Sequence, residues 1–180
     1  FIDYGVNPEG NILTIYPGAS YSTKKYPVEY LSDLINMIPE EWHFQIIIHG
    51  GHQDKREAVE IKRRCKSKVV DMCGATAIAE TIALISASSA IISNDSGPMH
   101  IAAALNKPQI AIFGATHTKL GFRPLNEKAM VLQSNICCQP CSLHGGTICP
   151  NGHFNCMRTI TPELLLENLQ HLTEKFIWGL

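Results

Sequence analysis

The chain has 180 residues, 45% of them hydrophobic and 17% charged, with a formal net charge of −1. That length suits one domain with a real core, and that composition a folded protein rather than a disordered one. The near-neutral charge offers no basic field for nucleic acid, and no apolar run approaches the roughly 18–20 residues of a membrane span. The opening FIDYGVNPEG lacks both an initiator Met and the charged-then-apolar pattern of a signal peptide, and reads as the middle of a longer protein.

Apolar runs alternate with amphipathic stretches along most of the chain. NILTIYPG (11–18) reads as a buried strand ending in a Pro-Gly break. PVEYLSDLINMIP follows, with Pro27 at a favoured first-turn position and Tyr30, Leu31, Leu34, Ile35 and Ile38 on one helical face. FQIIIHGG (44–51) is a second strand stopped by two glycines, and DKREAVEIKRRC a charged surface helix. KVVDM is a short third strand, IAETIALISAS (78–88) an apolar helix, and AIISND the fourth strand. PMHIAAALN makes a short helix, PQIAIFG a fifth strand and AMVLQS a sixth. Residues 134–158 form a cysteine-rich loop, and 161–178 a closing helix with Thr161 as N-cap and Glu163 in its first turn. Buried strands alternating with helices imply a parallel sheet covered on both faces, and right-handed crossovers make a doubly wound arrangement the economical topology. The fold class expected is α/β, a Rossmann-like doubly wound parallel sheet of about six strands forming one domain over 1–180.

In such sheets the ligand lies outside the carboxyl ends of the strands. Those ends read YPGASYSTKK, HGGHQDK, SNDSGPMH and FGATHTKLGFR. Four glycine-marked, polar loops on one edge favour a phosphate or sugar ligand over plain turn chemistry. Pro98 near a helix start leaves the N–H groups of Gly97, Met99 and His100 at that edge, where unsatisfied donors and the helix dipole suit a diphosphate. Gly97 allows close backbone approach and Ser96 adds a hydroxyl. Asp95 would repel phosphate, so it suits a sugar hydroxyl or holds the loop; Asp95 or Ser96 as a simple helix cap is the competing assignment. A hydrolase triad lacks its G-x-S-x-G elbow, and a nicotinamide dehydrogenase lacks G-x-G-x-x-G after the first strand.

Of seven cysteines, Cys65 and Cys73 read as structural thiols, and five fall in CCQPCSLHGGTICPNGHFNC (137–156). The odd total and absent secretion signal point to a reducing cytosol rather than a disulfide framework. Cys138, Cys141, Cys149 and Cys156 would supply four thiolates for a structural zinc, with His144 or His153 able to replace one. Reduced, partly buried thiols are the alternative.

SNDSGPMHIAAALNKPQIAIFGAT and YPGASYSTKKYP, with CQPC…CPNGHFNCM…ITPE, resemble glycosyltransferase family 9, the ADP-heptose:lipopolysaccharide heptosyltransferases. The resemblance implies the C-terminal, donor-binding half of a two-domain GT-B enzyme. By the same resemblance, Ser20 and Lys24 meet the phosphates, Asp95 the sugar, Ser96, Gly97 and His100 the diphosphate region, and the Thr76 backbone adenine. Where some members place a ribose-binding Glu, this chain reads GGHQD, with His52 or Asp54 as the substitutes. The implied reaction is inverting transfer of heptose from ADP-heptose to a lipopolysaccharide core acceptor, with no catalytic cofactor. The base and the lipid-linked acceptor's groove are expected in an N-terminal domain, so the 180 residues alone would be inactive. The setting implied is the cytoplasm, with peripheral association at the inner membrane face. A transferase using a UDP-sugar and a non-catalytic nucleotide-binding module are the alternatives.

Overall fold

The computed structural model describes residues 2–179. The six apolar runs form six strands: β1 (Ile12–Tyr16), β2 (Gln45–Ile48), β3 (Val69–Asp71), β4 (Ala90–Asn94), β5 (Gln109–Phe113) and β6 (Ala129–Gln133). All pair in parallel in the order β3-β2-β1-β4-β5-β6. Every residue of β1, β4 and β5 is buried, because helices cover both faces. Successive side chains alternate between those faces. Leu13 and Ile15 join the core shared with α1 (Val28–Met37), α2 (Lys55–Arg64) and α6 (Pro162–Thr173). Ile12 and Tyr16 turn the other way, toward Leu84 and Ile85 of α3 (Ile78–Ala87) and Ala102 of α4 (Gly97–Ala104).

The doubly wound sheet expected from the sequence is present, and its strand order reverses between β1 and β4. That reversal opens a crevice at the carboxyl edge. Asn94 ends β4 at this edge. Its amide donates to Pro17 O (2.9 Å) and Gly18 O (3.1 Å) and accepts from Tyr26 N–H (3.0 Å), fixing the loop after β1 to the end of β4.

Three details differ from the sequence-based expectation. The cysteine-rich segment is not all loop, since α5 (Asn155–Arg158) forms one helical turn with Cys156 and Met157 buried. The closing helix starts as expected, with Thr161 accepting from Leu164 N–H, but its α-helical part stops at Thr173. Residues Glu174–Trp178 continue as a π-helical turn, with Trp178 packed edge-on against Trp42. The cysteine loop also clamps the segments that follow β1 and β5. Thr23 N–H donates to Gly146 O (3.0 Å), Gly146 N–H returns to Thr23 Oγ1 (2.8 Å), and the Gln139 amide donates to the carbonyls of Phe113, Gly114 and Thr116.

Candidate functional site

A cavity of about 460 Å³ lies at the carboxyl edge of β1, β2 and β4, within the range of small-molecule sites. Ser20, Thr76, Ser96 and Gly97, four of the residues expected from the sequence, line it together. At one end is the start of α4. Ser96 occupies the N-cap position but its side chain makes no capping bond; its hydroxyl donates instead to Asn94 O (3.2 Å). Simple capping by Ser96 is therefore not its arrangement. A Cβ built on Gly97 would meet nothing within 4 Å, so the glycine leaves open space directly over the helix start. Met99 N–H is taken by Ser96 O (3.2 Å), which leaves Gly97 N–H without a side-chain cap beside the open space, and an uncapped helix start of this kind suits an anion.

Lys24 and Asp95 do not line the cavity. They form an ion pair beside it, Lys24 Nζ lying 2.9 Å from Asp95 Oδ2, and the same oxygen accepts from Thr116 Oγ1 at 2.7 Å. Asp95 is thus held by two partners in a buried position. Contact with a ligand's sugar would use its remaining lone pairs or follow exchange of the lysine.

His100 departs from expectation. It is exposed on the side of α4 that faces Ala103, Asn106, Leu125 and Asn126, and lines a separate groove rather than the cavity at Ser96 and Gly97. His52 is also exposed and outside the cavity, whereas its neighbours Gln53 and Asp54 line it. Asp54 is a wedge as well as a wall. Its Oδ2 accepts from Gly51 N–H (2.9 Å), and a Cβ on Gly18 or Gly50 would run into its carboxylate. Burial holds its pKa above the usual carboxylate value, offset in part by the Gly51 bond and Lys25.

Sequence reasoning passed over two lining residues. Tyr16 ends β1 and His49 follows β2, and their rings meet edge-to-face with centroids 5.2 Å apart. Both are buried, and both carry a polar atom without a hydrogen-bond partner, Tyr16 Oη and His49 Nδ1. His49 Nε2 lies 2.6 Å from Thr76 Oγ1, and burial pushes its pKa down to about 4, so the ring is neutral near pH 7. The signal in the sequence was a lone His closing IIIHGG, between a fully apolar strand and two glycines.

Cys138, Cys141, Cys149 and Cys156 lie near enough that, after burial, the charges of the other three raise the Cys156 pKa, without closing into a metal-holding group among the described residues. Among the described residues no three Cys, His, Asp or Glu side chains are grouped to hold a metal ion, and all seven cysteines are free thiols. Of the expected set, Cys156 is buried, which raises its pKa to about 11, while Cys149 is lowered by backbone N–H groups, Phe154 N–H first. Cys138 Sγ is 3.8 Å from His153 Nε2 and Cys141 Sγ 3.8 Å from Ala115 O. The loop is tied by backbone and amide hydrogen bonds to the end of β5 and to Thr23.

Known proteins match this architecture over nearly its whole length. The family model for glycosyltransferase family 9 (heptosyltransferase) matches residues 6–148. Lipooligosaccharide heptosyltransferase 2 of Campylobacter jejuni is 30% identical over 165 residues, spanning 89% of this chain and 50% of that protein. Lipopolysaccharide heptosyltransferase 2 of Salmonella typhimurium is 30% identical over 175 residues, spanning 94% and 49%. The structure of the Escherichia coli ADP-heptose lps heptosyltransferase II superposes with a TM-score of 0.80 at 26% identity, covering 97% of this chain and 50% of that one. The chain spans about half the length of the curated relatives it matches. It belongs to glycosyltransferase family 9, the heptosyltransferases.

Proposed function

We propose that the chain is the donor-binding half of an inverting glycosyltransferase that takes heptose from ADP-heptose to a lipopolysaccharide core acceptor. The observation that carries the reading is the uncapped start of α4, open over Gly97 and facing a cavity that Ser20 and Ser96 also line. Family membership and the likeness to an ADP-heptose lps heptosyltransferase support it. A second nucleotide-sugar, such as a UDP-sugar, is the competing donor.

Glycosyl transfer from a nucleotide-sugar builds positive character at the anomeric carbon and negative charge on the departing diphosphate. In this reading the α4 N–H groups and the Ser20 and Ser96 hydroxyls hold the diphosphate in place. Lys24 exchanges Asp95 for a phosphate oxygen and offsets the leaving-group charge, the kind of preorganised electrostatic help that acts most strongly where charge develops. Asp95, kept in place by Thr116, then turns to a hydroxyl of the sugar. The acceptor and the base that deprotonates it belong to the N-terminal domain of the full enzyme. No step asks a metal of the cysteine loop. Cytoplasmic work at the inner face of the membrane belongs to the same reading; among the described residues no helix is long and apolar enough to cross a membrane.

Calorimetric titration tests it. ADP should bind more tightly than UDP and more weakly as salt rises, since charge carries part of the affinity. Lys24→Ala should cost about 1–3 kcal/mol of that binding, the worth of a charge-assisted hydrogen bond. Folded protein that ignores millimolar ADP would defeat the reading, and an unchanged affinity in Lys24→Ala would remove the lysine from the diphosphate.

A further inference from the structure

The buried imidazole of His49 has one nitrogen spoken for and one free. A proton count along its neighbours decides which carries the hydrogen. Thr81 Oγ1 donates to Ala77 O (3.1 Å), because a carbonyl can only accept. In its 3.2 Å contact with Thr76 Oγ1, Thr81 is therefore the acceptor and Thr76 gives its single proton. The arrangement that makes all three contacts hydrogen bonds at once has Thr76 Oγ1 accepting from His49 Nε2–H at 2.6 Å. In that arrangement His49 Nδ1 carries a lone pair; the residue lines the cavity and is 2% exposed, and its Nδ1 is buried without a partner. Burial keeps the ring neutral, so that the lone pair persists at neutral pH.

An unpaired buried acceptor is costly unless something arrives to donate to it. The sheet says what part of a ligand reaches it. The anion-holding start of α4 follows β4, and His49 follows β2, with only β1 between them. Adjacent strands are about 4.8 Å apart, so the two points are separated by roughly 10 Å, the reach of a nucleoside diphosphate from its phosphates to its base. The cavity there is walled by Ile78, an apolar side chain 66% exposed and suited to the face of a flat ring. The Tyr16 hydroxyl, also buried and unpartnered, stands beside His49 and can turn to donate. An acceptor next to a rotatable hydroxyl complements adenine, whose edge sets an amino donor beside a ring-nitrogen acceptor. Guanine and hypoxanthine present a carbonyl oxygen where adenine has the amino group, which would set acceptor against acceptor.

We propose that His49 Nδ1 reads the nucleotide base, accepting a hydrogen bond from the exocyclic amino group of adenine, with Thr76 fixing the tautomer that makes this possible. The assignment rests on the proposed nucleotide-sugar reading of the cavity and adds to it a residue that chooses the base.

Titration of the chain with ADP, IDP and 2′-deoxy-ADP tests it, IDP differing from ADP mainly in the replaced amino group. ADP should bind about tenfold more tightly than IDP, the scale of one hydrogen bond exchanged for a mismatch. In His49→Leu, ADP should weaken to the IDP level while IDP changes little. Thr76→Val, close in shape, should keep the fold and reduce the ADP-to-IDP ratio, and it serves as the readout if His49→Leu does not fold. Equal binding of ADP and IDP by the wild type, or a ratio that survives in the variants, overturns the base-reading role while leaving the nucleotide site intact. A loss in His49→Leu confined to the difference between ADP and 2′-deoxy-ADP would move the contact to the ribose and overturn it too. Failure of all three nucleotides to bind the folded wild type would sink the cavity reading itself, and this inference with it.

Discussion

At the scale of single residues, His49 ties stability to acid. Unfolded, its imidazole takes a proton near pH 6.5; folded, only near about 4. Because the folded value is the lower one, the stability contributed by burying the neutral ring is complete above pH 6.5 and is lost as pH falls toward about 4. The loss approaches about 3 kcal/mol if the whole shift is realised. Asp54 runs against it, since burial raises its pKa and its protonation relieves the fold at low pH. Melting curves from pH 7.5 to 4.5 should fall more steeply for the wild type than for His49→Leu; equal slopes would assign the acid limb to other groups. The sequence made the polar identity of the site visible, through Ser20, Ser96 and Gly97, but not the direction each side chain takes. His100 illustrates the gap. Its motif position is unmistakable, yet a helix turns by 100° per residue, and only the packing of α4 on the sheet decides which residues face the crevice. His49 hid for the opposite reason: after three isoleucines it reads as the end of a core strand, and only the proton count through Thr76 and Thr81 reveals a free acceptor.

Among the elements, the junction of β1 and β4 depends on Asn94. Its amide answers Tyr26 N–H and two carbonyls at once, and no water-accessible replacement is at hand in a residue 1% exposed. Asn94→Ala strips partners from several buried groups, so it should cost at least about 2 kcal/mol, at roughly 1–3 kcal/mol for each group left unsatisfied. Thermal denaturation should show a drop of several degrees. A variant melting with the wild type would mean that the loop after β1 has another anchor. Strands and helices were legible here because burial on both faces leaves little room for polar residues within a strand, and Gly or Pro punctuates nearly every end. The π-helical continuation after Thr173 and the short α5 were not legible. Both arise from tertiary contacts, Trp178 against Trp42 and the packing of Cys156 and Met157 into the core, which no local pattern encodes.

Across the whole molecule, the donor reading predicts a division of labour. The described residues hold helix N–H groups, hydroxyls and the Lys24–Asp95 pair, and the carboxylate that lines the cavity, Asp54, is tied to Gly51 N–H; the donor reading therefore assigns the acceptor's base to the other domain. Transfer also requires the acceptor to come within about 3–3.5 Å of the anomeric carbon with water excluded, which a two-domain cleft achieves by closing. The 180 residues should bind donor nucleotide but release no ADP from ADP-heptose with a lipid A–core acceptor. Mixing with the N-terminal half should restore weak turnover, and brisk turnover by the 180 residues alone would place the base within them.

The clamp between Thr23 and Gly146 has a bearing on how the protein comes into being. The sixth strand is complete at Gln133, but the hydrogen-bond partner of Thr23 lies 123 positions further along the chain than Thr23 itself, and the Tyr26 hydroxyl waits for Ile160 O, 134 positions on. A ribosome can therefore deliver every strand before it delivers the residues that shape the segment around Ser20 and Lys24. Contacts so distant in sequence form late because the loop they close must first pay its entropy. On refolding from denaturant, the far-ultraviolet circular dichroism of the helices and sheet should return ahead of the ability to bind ADP, leaving for a time a molecule with its scaffold assembled and its ligand grip still open. Simultaneous recovery would mean that the grip is shaped by the strands alone.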